Sequence, residues 1–225
     1  MEIVNAQEKR PKDPVAFGVE ISPIIPSNLF RITATEMQDD NFQVTRTPNS
    51  GFKAAAMIRF GLSGKFAMQT GIGYIRRHFT LDAQIDDIKL EALKVRAINY
   101  EIPLGATYYV HLTPEFLMSI TLGAAANFLP KDIISSNDDI LQGTIQRSWV
   151  TPSFFLNYGF EYRTKDYGFF YLGFSYNIFI LNMYDNEVVY DYNGPAQKTV
   201  VSPIRGDYFG ILIRYFFPVD GWKNL

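Results

Sequence analysis

Ile98-Asn99-Tyr100-Glu101-Ile102-Pro103-Leu104-Gly105-Ala106-Thr107-Tyr108-Tyr109-Val110 is the stretch whose reading decides the fold. Alternate positions read Ile98, Tyr100, Ile102, Leu104, Ala106, Tyr108 and Val110. The positions between them read Asn99, Glu101, Pro103, Gly105, Thr107 and Tyr109. Side chains of a β-strand point to opposite faces with a period of two, so one face is wholly apolar and the other is not. Strands of soluble folds average about five or six residues. A tilted strand crossing a bilayer needs about 9–11.

Working outward, seven more stretches alternate in the same way. The first runs near Val15 to Ile24, with Phe17, Val19 and Ile21 on one face and Ala16, Gly18, Glu20 and Ser22 on the other. The second sets Phe52, Ala54, Ala56, Ile58 and Phe60 against Lys53, Met57 and Arg59. The third sets Phe66, Met68, Thr70, Ile72 and Tyr74 against Gln69, Gly71 and Gly73. The stretch quoted above is the fourth. The fifth presents Phe116, Ile120, Leu122 and Phe128, the sixth Phe154, Leu156, Phe160 and Tyr162. The seventh presents Phe170, Leu172, Phe174 and Ile178, the eighth Phe209, Ile211, Ile213 and Tyr215.

Connections between these stretches alternate in length. Leu62-Ser63-Gly64-Lys65, His111-Leu112-Thr113-Pro114-Glu115 and Thr164-Lys165-Asp166-Tyr167-Gly168 read as tight turns, the first using Gly64 at positive φ. Polar segments near residues 26–50, 78–96, 130–148 and 184–205 read as long loops. The centre of the second, residues 85–95, fits either a short helix or an extension of the hairpin. Short turns on one side and long loops on the other are the pattern of bacterial outer-membrane barrels, with short periplasmic turns and longer extracellular loops. The expected fold is all-β, an eight-stranded antiparallel transmembrane up-and-down β-barrel. Its expected parts are a periplasmic N-terminal segment (1–12), the barrel (13–217) and a periplasmic C-terminal tail (218–225).

Periodicity alone does not say which face points outward. A soluble lipocalin-like barrel would turn the apolar face inward. Here the apolar face carries the large residues, whereas the other face is rich in Gly, Ala, Ser, Thr and Asn. An eight-stranded barrel has little interior room, so the small residues belong inside. Glu20, Lys53, Arg59, Glu101, Glu161 and Arg214 share that small-residue face. Arg or Lys facing lipid at the midplane would cost about 2–4 kcal/mol. The expectation is a lumen plugged by paired charges rather than a proton or ion path. Arg59, Glu161 and Arg214 are expected together near the periplasmic strand ends.

Composition agrees with this reading. The 19 Phe and 14 Tyr suit aromatic girdles at both interfaces. Cysteine is absent, which removes disulfides, thiolate metal sites and cysteine nucleophiles. A net charge of −2 gives no reason to expect a nucleic-acid partner. Residues 1–10 lack a basic start followed by an apolar run. A signal peptide, which an outer-membrane protein requires, is therefore expected to have been removed.

No catalytic, cofactor-binding or metal site is expected. His78 and His111 belong to no metal-spacing motif and fall at opposite rims. Gly71-Ile72-Gly73 is a strand with small inward residues, not a dinucleotide loop. Asn137-Asp138-Asp139 reads as a solvated turn, although calcium binding is an alternative. Arg76-Arg77-His78 reads as an interfacial cluster within reach of anionic lipid headgroups.

Asn99-Tyr100-Glu101-Ile102-Pro103-Leu104 opens its strand after a charged loop and resembles the Tyr-x-Glu-Ile-Pro-Leu signature of the PorT-like outer-membrane barrels of Bacteroidota, with one residue fewer between Tyr and Glu. Phe17-Gly18-Val19-Glu20 and Gly71-Ile72-Gly73-Tyr74 resemble that family's first and third strands, within an OmpA/OmpX-like architecture. The final strand, Gly210-Ile211-Leu212-Ile213-Arg214-Tyr215-Phe216-Phe217, is similar to the signal read by barrel-assembly machinery. Some relatives of this family are similar to accessory parts of the type 9 secretion system.

The resemblance implies an outer-membrane location, lipid contact and other envelope proteins as partners. The leading expectation is a non-enzymatic structural or accessory subunit of a larger envelope complex. The alternatives are a small passive pore or ligand-binding barrel, and a lipid-modifying barrel enzyme. In the tail, Trp222 is expected to contact a periplasmic partner or to lie in the headgroup belt.

Overall fold

The computed structural model describes residues 15–26, 35–86, 88–130, 134–136, 140–146, 148–164, 166–190 and 197–218. The strands are, in chain order, β1 (Ala16–Ile25), β2 (Thr35–Asp39), β3 (Phe42–Ser63), β4 (Phe66–Ile85), β5 (Ile88–Lys89), β6 (Leu93–His111) and β7 (Phe116–Phe128). After these come β8 (Ile134–Ser136), β9 (Ile140–Gln146), β10 (Val150–Thr164), β11 (Gly168–Phe179), β12 (Tyr184–Tyr190), β13 (Lys198–Ile204) and β14 (Tyr208–Phe216).

Eight of them close a barrel in the cyclic order β1, β3, β4, β6, β7, β10, β11, β14, each pairing antiparallel with its neighbours. The closing pair sets Glu20 opposite Arg214 and Ile21 opposite Ile213. Closure removes the sheet edges, a requirement in hydrocarbon, where an unpaired backbone group costs several kcal/mol.

Burial alternates along the barrel strands, with a break in β3 at the register shift between Asn49 and Phe52. Ala16, Gly18, Glu20 and Ser22 are buried while Phe17, Val19 and Ile21 are exposed. The expected facing holds in the described part of all eight strands. Phe66, Tyr108, Phe116, Phe160, Phe170 and Tyr215 form an outward aromatic belt at the rim of short turns, with ring centroids 5.0–5.5 Å apart in three pairs. Phe52, Tyr74 and Tyr100 form its counterpart nearer the long loops.

The tight turns fall where expected, with one difference. Gly64 does not adopt a positive φ; Ser63 Oγ closes that turn, accepting from the backbone N–H of Lys65 and Phe66. Among the described residues, the glycine at positive φ is Gly168 (81°), which opens β11 packed against the Phe216 carbonyl.

In their described parts, the long connections form strands rather than the polar loops the sequence suggests. Strands β3, β4 and β6 run to 22, 20 and 19 residues and continue well past the belt of Phe52 and Tyr100. The segment after Arg76 is thus an extension of the hairpin, not a helix. Residues of the third and fourth long connections form a second antiparallel sheet, ordered β13-β12-β9-β8, which leans on β2, β3 and β6.

Between this sheet and the extended strands lies a core of large apolar side chains that includes Phe42, Val44, Phe79, Leu81, Ile140 and Val188. Each such side chain contributes about 1.5–3 kcal/mol on burial, enough to hold these segments folded over the mouth of the barrel. Asp40 and Asp86 occupy the left-handed region at the hairpin tips, as short polar side chains can. Asn41 Nδ2 donates to Asp86 Oδ1, and Lys198 pairs with Asp40 at 3.0 Å, tying three tips together.

Inside the barrel, Gly105 and Gly123 stand opposite each other on β6 and β7. The Phe155 ring fills the space they leave. A Cβ at Gly105 would come within 2.9 Å of both Phe155 Cζ and Thr121 Cγ2. Gly105→Val is expected to destabilise the barrel by about 1–3 kcal/mol through overpacking. Phe155→Ala should cost about 3–5 kcal/mol through the cavity it leaves. The double variant should cost clearly less than the sum, read from urea unfolding in phosphocholine bilayers. Simple additivity would mean that positions 105 and 155 do not share one space.

Candidate functional site

Strand parity brings the ionisable residues into the lumen, where they form two separate clusters. Toward the rim of short turns, Glu161 on β10 meets two guanidiniums. Arg59 Nη1 on β3 lies 2.8 Å from Glu161 Oε2, and Arg163 Nε lies 2.7 Å from Oε1. The Arg59 guanidinium also stands 3.8 Å from the centroid of the Phe216 ring. That of Arg163 stands 4.7 Å from the centroid of Phe169. Aromatic faces attract cations whose water has been removed, so these rings supply what a single carboxylate cannot.

The second cluster lies higher in the lumen. Arg214 Nε on β14 donates to Glu20 Oε2 on β1 at 2.6 Å. Lys53 Nζ on β3 bridges Glu20 Oε1 at 3.1 Å and Glu101 Oε1 on β6 at 2.6 Å. The Tyr208 hydroxyl donates to Glu101 Oε2 at 3.2 Å. Asn157, with its amide oxygen toward Arg214 Nη2 (2.9 Å) and its nitrogen toward Ser175 Oγ (2.7 Å), completes the surroundings. Two cations and two anions cancel here, as charges buried this deeply must. The void beside this cluster is about 10 Å³, roughly the room of one water.

The six lumen residues named from sequence therefore all point inward, but they group differently from the expectation. Arg214 does not join Arg59 and Glu161; it pairs with Glu20, its direct neighbour across the β1–β14 closure. Pairing within the lumen is set by the stagger of the strands, which parity does not reveal.

Arg77 overturns a second expectation. It does not lie on the outer surface with Arg76 and His78. It is buried inside the barrel mouth, donating to the Gly206 carbonyl and to Asn99 Oδ1, each at 2.7 Å. Continuing the period of two from Gly71 and Gly73 through Ile75 would have placed it inward, and the same rule places Arg163 beside Glu161. Arg76 and His78 face outward and contact each other at 3.0 Å. Among the described residues, no group of three His, Asp or Glu side chains could hold a metal ion. The acidic turn 137–139, the segment 1–12, residues 219–225 and hence Trp222 lie outside the described residues.

A closed eight-stranded barrel with an aromatic-belted apolar exterior and ion-paired clusters within is a transmembrane barrel of the bacterial outer membrane. The chain belongs to the outer membrane protein beta-barrel domain family, whose model matches residues 5–179. Its fold is similar to that of the outer membrane protein OprG from Pseudomonas aeruginosa, with a TM-score of 0.59 at 12% identity over 92% of this chain and 98% of that one. A major outer membrane protein from Thermus thermophilus scores 0.45 at 12% identity over 90% and 100%. No curated protein matches the sequence.

Proposed function

We propose that this barrel is a non-enzymatic accessory subunit of an envelope complex, of the PorT-like kind, that anchors a folded extracellular sheet rather than conducting solutes. The observation that carries this reading is the double closure of the lumen. Two ion-pair clusters fill it at the level of the bilayer, and a separate apolar core caps its mouth.

Two further features support the reading. The lumen carboxylates of Glu20, Glu101 and Glu161 are engaged with cations, and His78 lies on the outer wall, so no acid, base and nucleophile converge among the described residues. The outward face of the cap sheet sets Asp185 and Glu187 beside Ile145 (59% exposed) and Val201 (61% exposed). A mixed apolar and acidic face of this kind suits an envelope protein with a basic, partly apolar surface. The resemblance of residues 99–104 to the PorT-like signature supports an origin in Bacteroidota, with secretion machinery among the candidate complexes.

Purified protein in planar bilayers should show no steady unitary conductance. Tagged protein drawn from native membranes should bring partners that are lost on Ile145→Asp/Val201→Asp, with folding unchanged by heat-shifted gel mobility. Reproducible channels from the pure barrel, or partners retained by the variant, would overturn the proposal.

A further inference from the structure

At the barrel mouth, beside the second lumen cluster and sharing Tyr208 with it, lies a cavity of about 350 Å³. Its size sits at the low end of the range that holds small-molecule ligands, about 300–1,000 Å³. Among the described residues, three guanidiniums line it, those of Arg46, Arg77 and Arg205, against the carboxylate of Asp207.

That carboxylate is already occupied. Asp207 Oδ1 accepts from the Phe179 backbone N–H at 2.7 Å, and Oδ2 lies 3.6 Å from Arg205 Nε. Arg46 is buried and makes only long bonds among the described residues, to Thr35 Oγ1 at 3.4 Å and to the Pro203 carbonyl at 3.5 Å. Arg77 is 5% exposed, and its Nε–H is buried without an acceptor among the described residues. Neither Arg46 nor Arg77 has an acidic partner within ion-pair distance among those residues. A buried cation in this position is costly unless an anion meets it. The opposite wall is apolar, made by Ile24, Phe79, Pro48 and the Tyr208 ring.

We propose that this cavity binds a small organic anion with a carboxylate head and an apolar body. The head meets the Arg46 guanidinium, whose planar fork matches a carboxylate in geometry, with the charge of Arg77 behind it. The body lies against Ile24 and Phe79. The chemistry is shared by a free solute and by an anionic lipid intruding from the outer leaflet, and the proposal commits to the solute because Arg46 and Arg77 are buried within the barrel mouth rather than set on the lipid-facing wall. It is independent of what docks on the cap's outer face.

The test uses the full chain in phosphatidylcholine nanodiscs with 4-fluorobenzoate as probe, followed by ¹⁹F NMR. Saturable binding is expected, weakened about tenfold or more by Arg46→Gln. Arg205→Gln should weaken it less, since Asp207 already engages that side chain. Hexanoate should compete, whereas 4-fluorobenzyl alcohol and inorganic phosphate should not. Folding of each variant is checked by heat-shifted gel mobility, and Arg46→Lys should restore part of the affinity. Absence of saturable binding, equal binding of the alcohol, equal competition by phosphate, or unchanged affinity in folded Arg46→Gln would each overturn the proposal. Loss of probe binding in nanodiscs containing phosphatidylglycerol would overturn the assignment to a free solute.

Discussion

Glu20→Gln is expected to destabilise the folded barrel by about 3–5 kcal/mol, the cost of breaking a buried ion pair by removing one partner. The substitution keeps the shape of the side chain and removes only its charge. Arg214 then retains Gln69 Oε1 at 3.5 Å and Asn157, both neutral. Lys53 keeps Glu101 at 2.6 Å, so the positive charge left over is that of Arg214. Removing that charge as well, in Glu20→Gln/Arg214→Met, should recover more than half of the loss. The measurement is urea unfolding of protein refolded into phosphocholine bilayers, with the midpoint and slope compared across the cycle. A double variant as unstable as the sum of its parts would show that the two side chains are not coupled, against the 2.6 Å contact.

Leu122→Arg should weaken insertion by about 2–4 kcal/mol, whereas Tyr162→Arg should cost only about 0–1. Leu122 lies on the outer face of β7, midway between Phe116 and Phe128, and is 62% exposed. It therefore sits near the centre of the apolar belt, where a guanidinium cannot reach water. Tyr162 lies at the turn end of β10, level with Phe116 across the strand pair. From there a long cation extends into the headgroup region. Folded fraction in bilayers, read by heat-shifted mobility, separates the two. Equal folding of Leu122→Arg and the unmodified chain would place that face away from lipid.

The depth dependence and the charge cycle rest on different parts of the sequence signal. Facing is legible from alternation together with residue size, since the small-residue face must fill a narrow lumen: Leu122 and Tyr162 read outward, Glu20 and Arg214 inward. Pairing is not legible. Glu20 and Arg214 are 194 residues apart and become neighbours only because β1 closes on β14. Arg77 escapes the sequence reading because it sits between two outward-facing basic residues, and because the inward face around it turns apolar at Ile75, Phe79 and Leu81. An inward face made of large residues resembles an outward one once the chain has left the bilayer.

Alternation along single segments, with large residues on one face and small ones on the other, thus suffices for the number of transmembrane strands, the side each residue takes in the membrane, and the succession of short and long connections. A period of two is a local property, and the bilayer penalises any departure from it strand by strand. The grouping of the lumen charges, the burial of Arg77 and the cap sheet over the barrel mouth emerge only in three dimensions. Strands β8, β9, β12 and β13 have 3, 7, 7 and 7 residues and mix polar with apolar side chains. Such strands are stable only against a partner, and which partner depends on the stagger of the closed barrel, a property that no single segment carries.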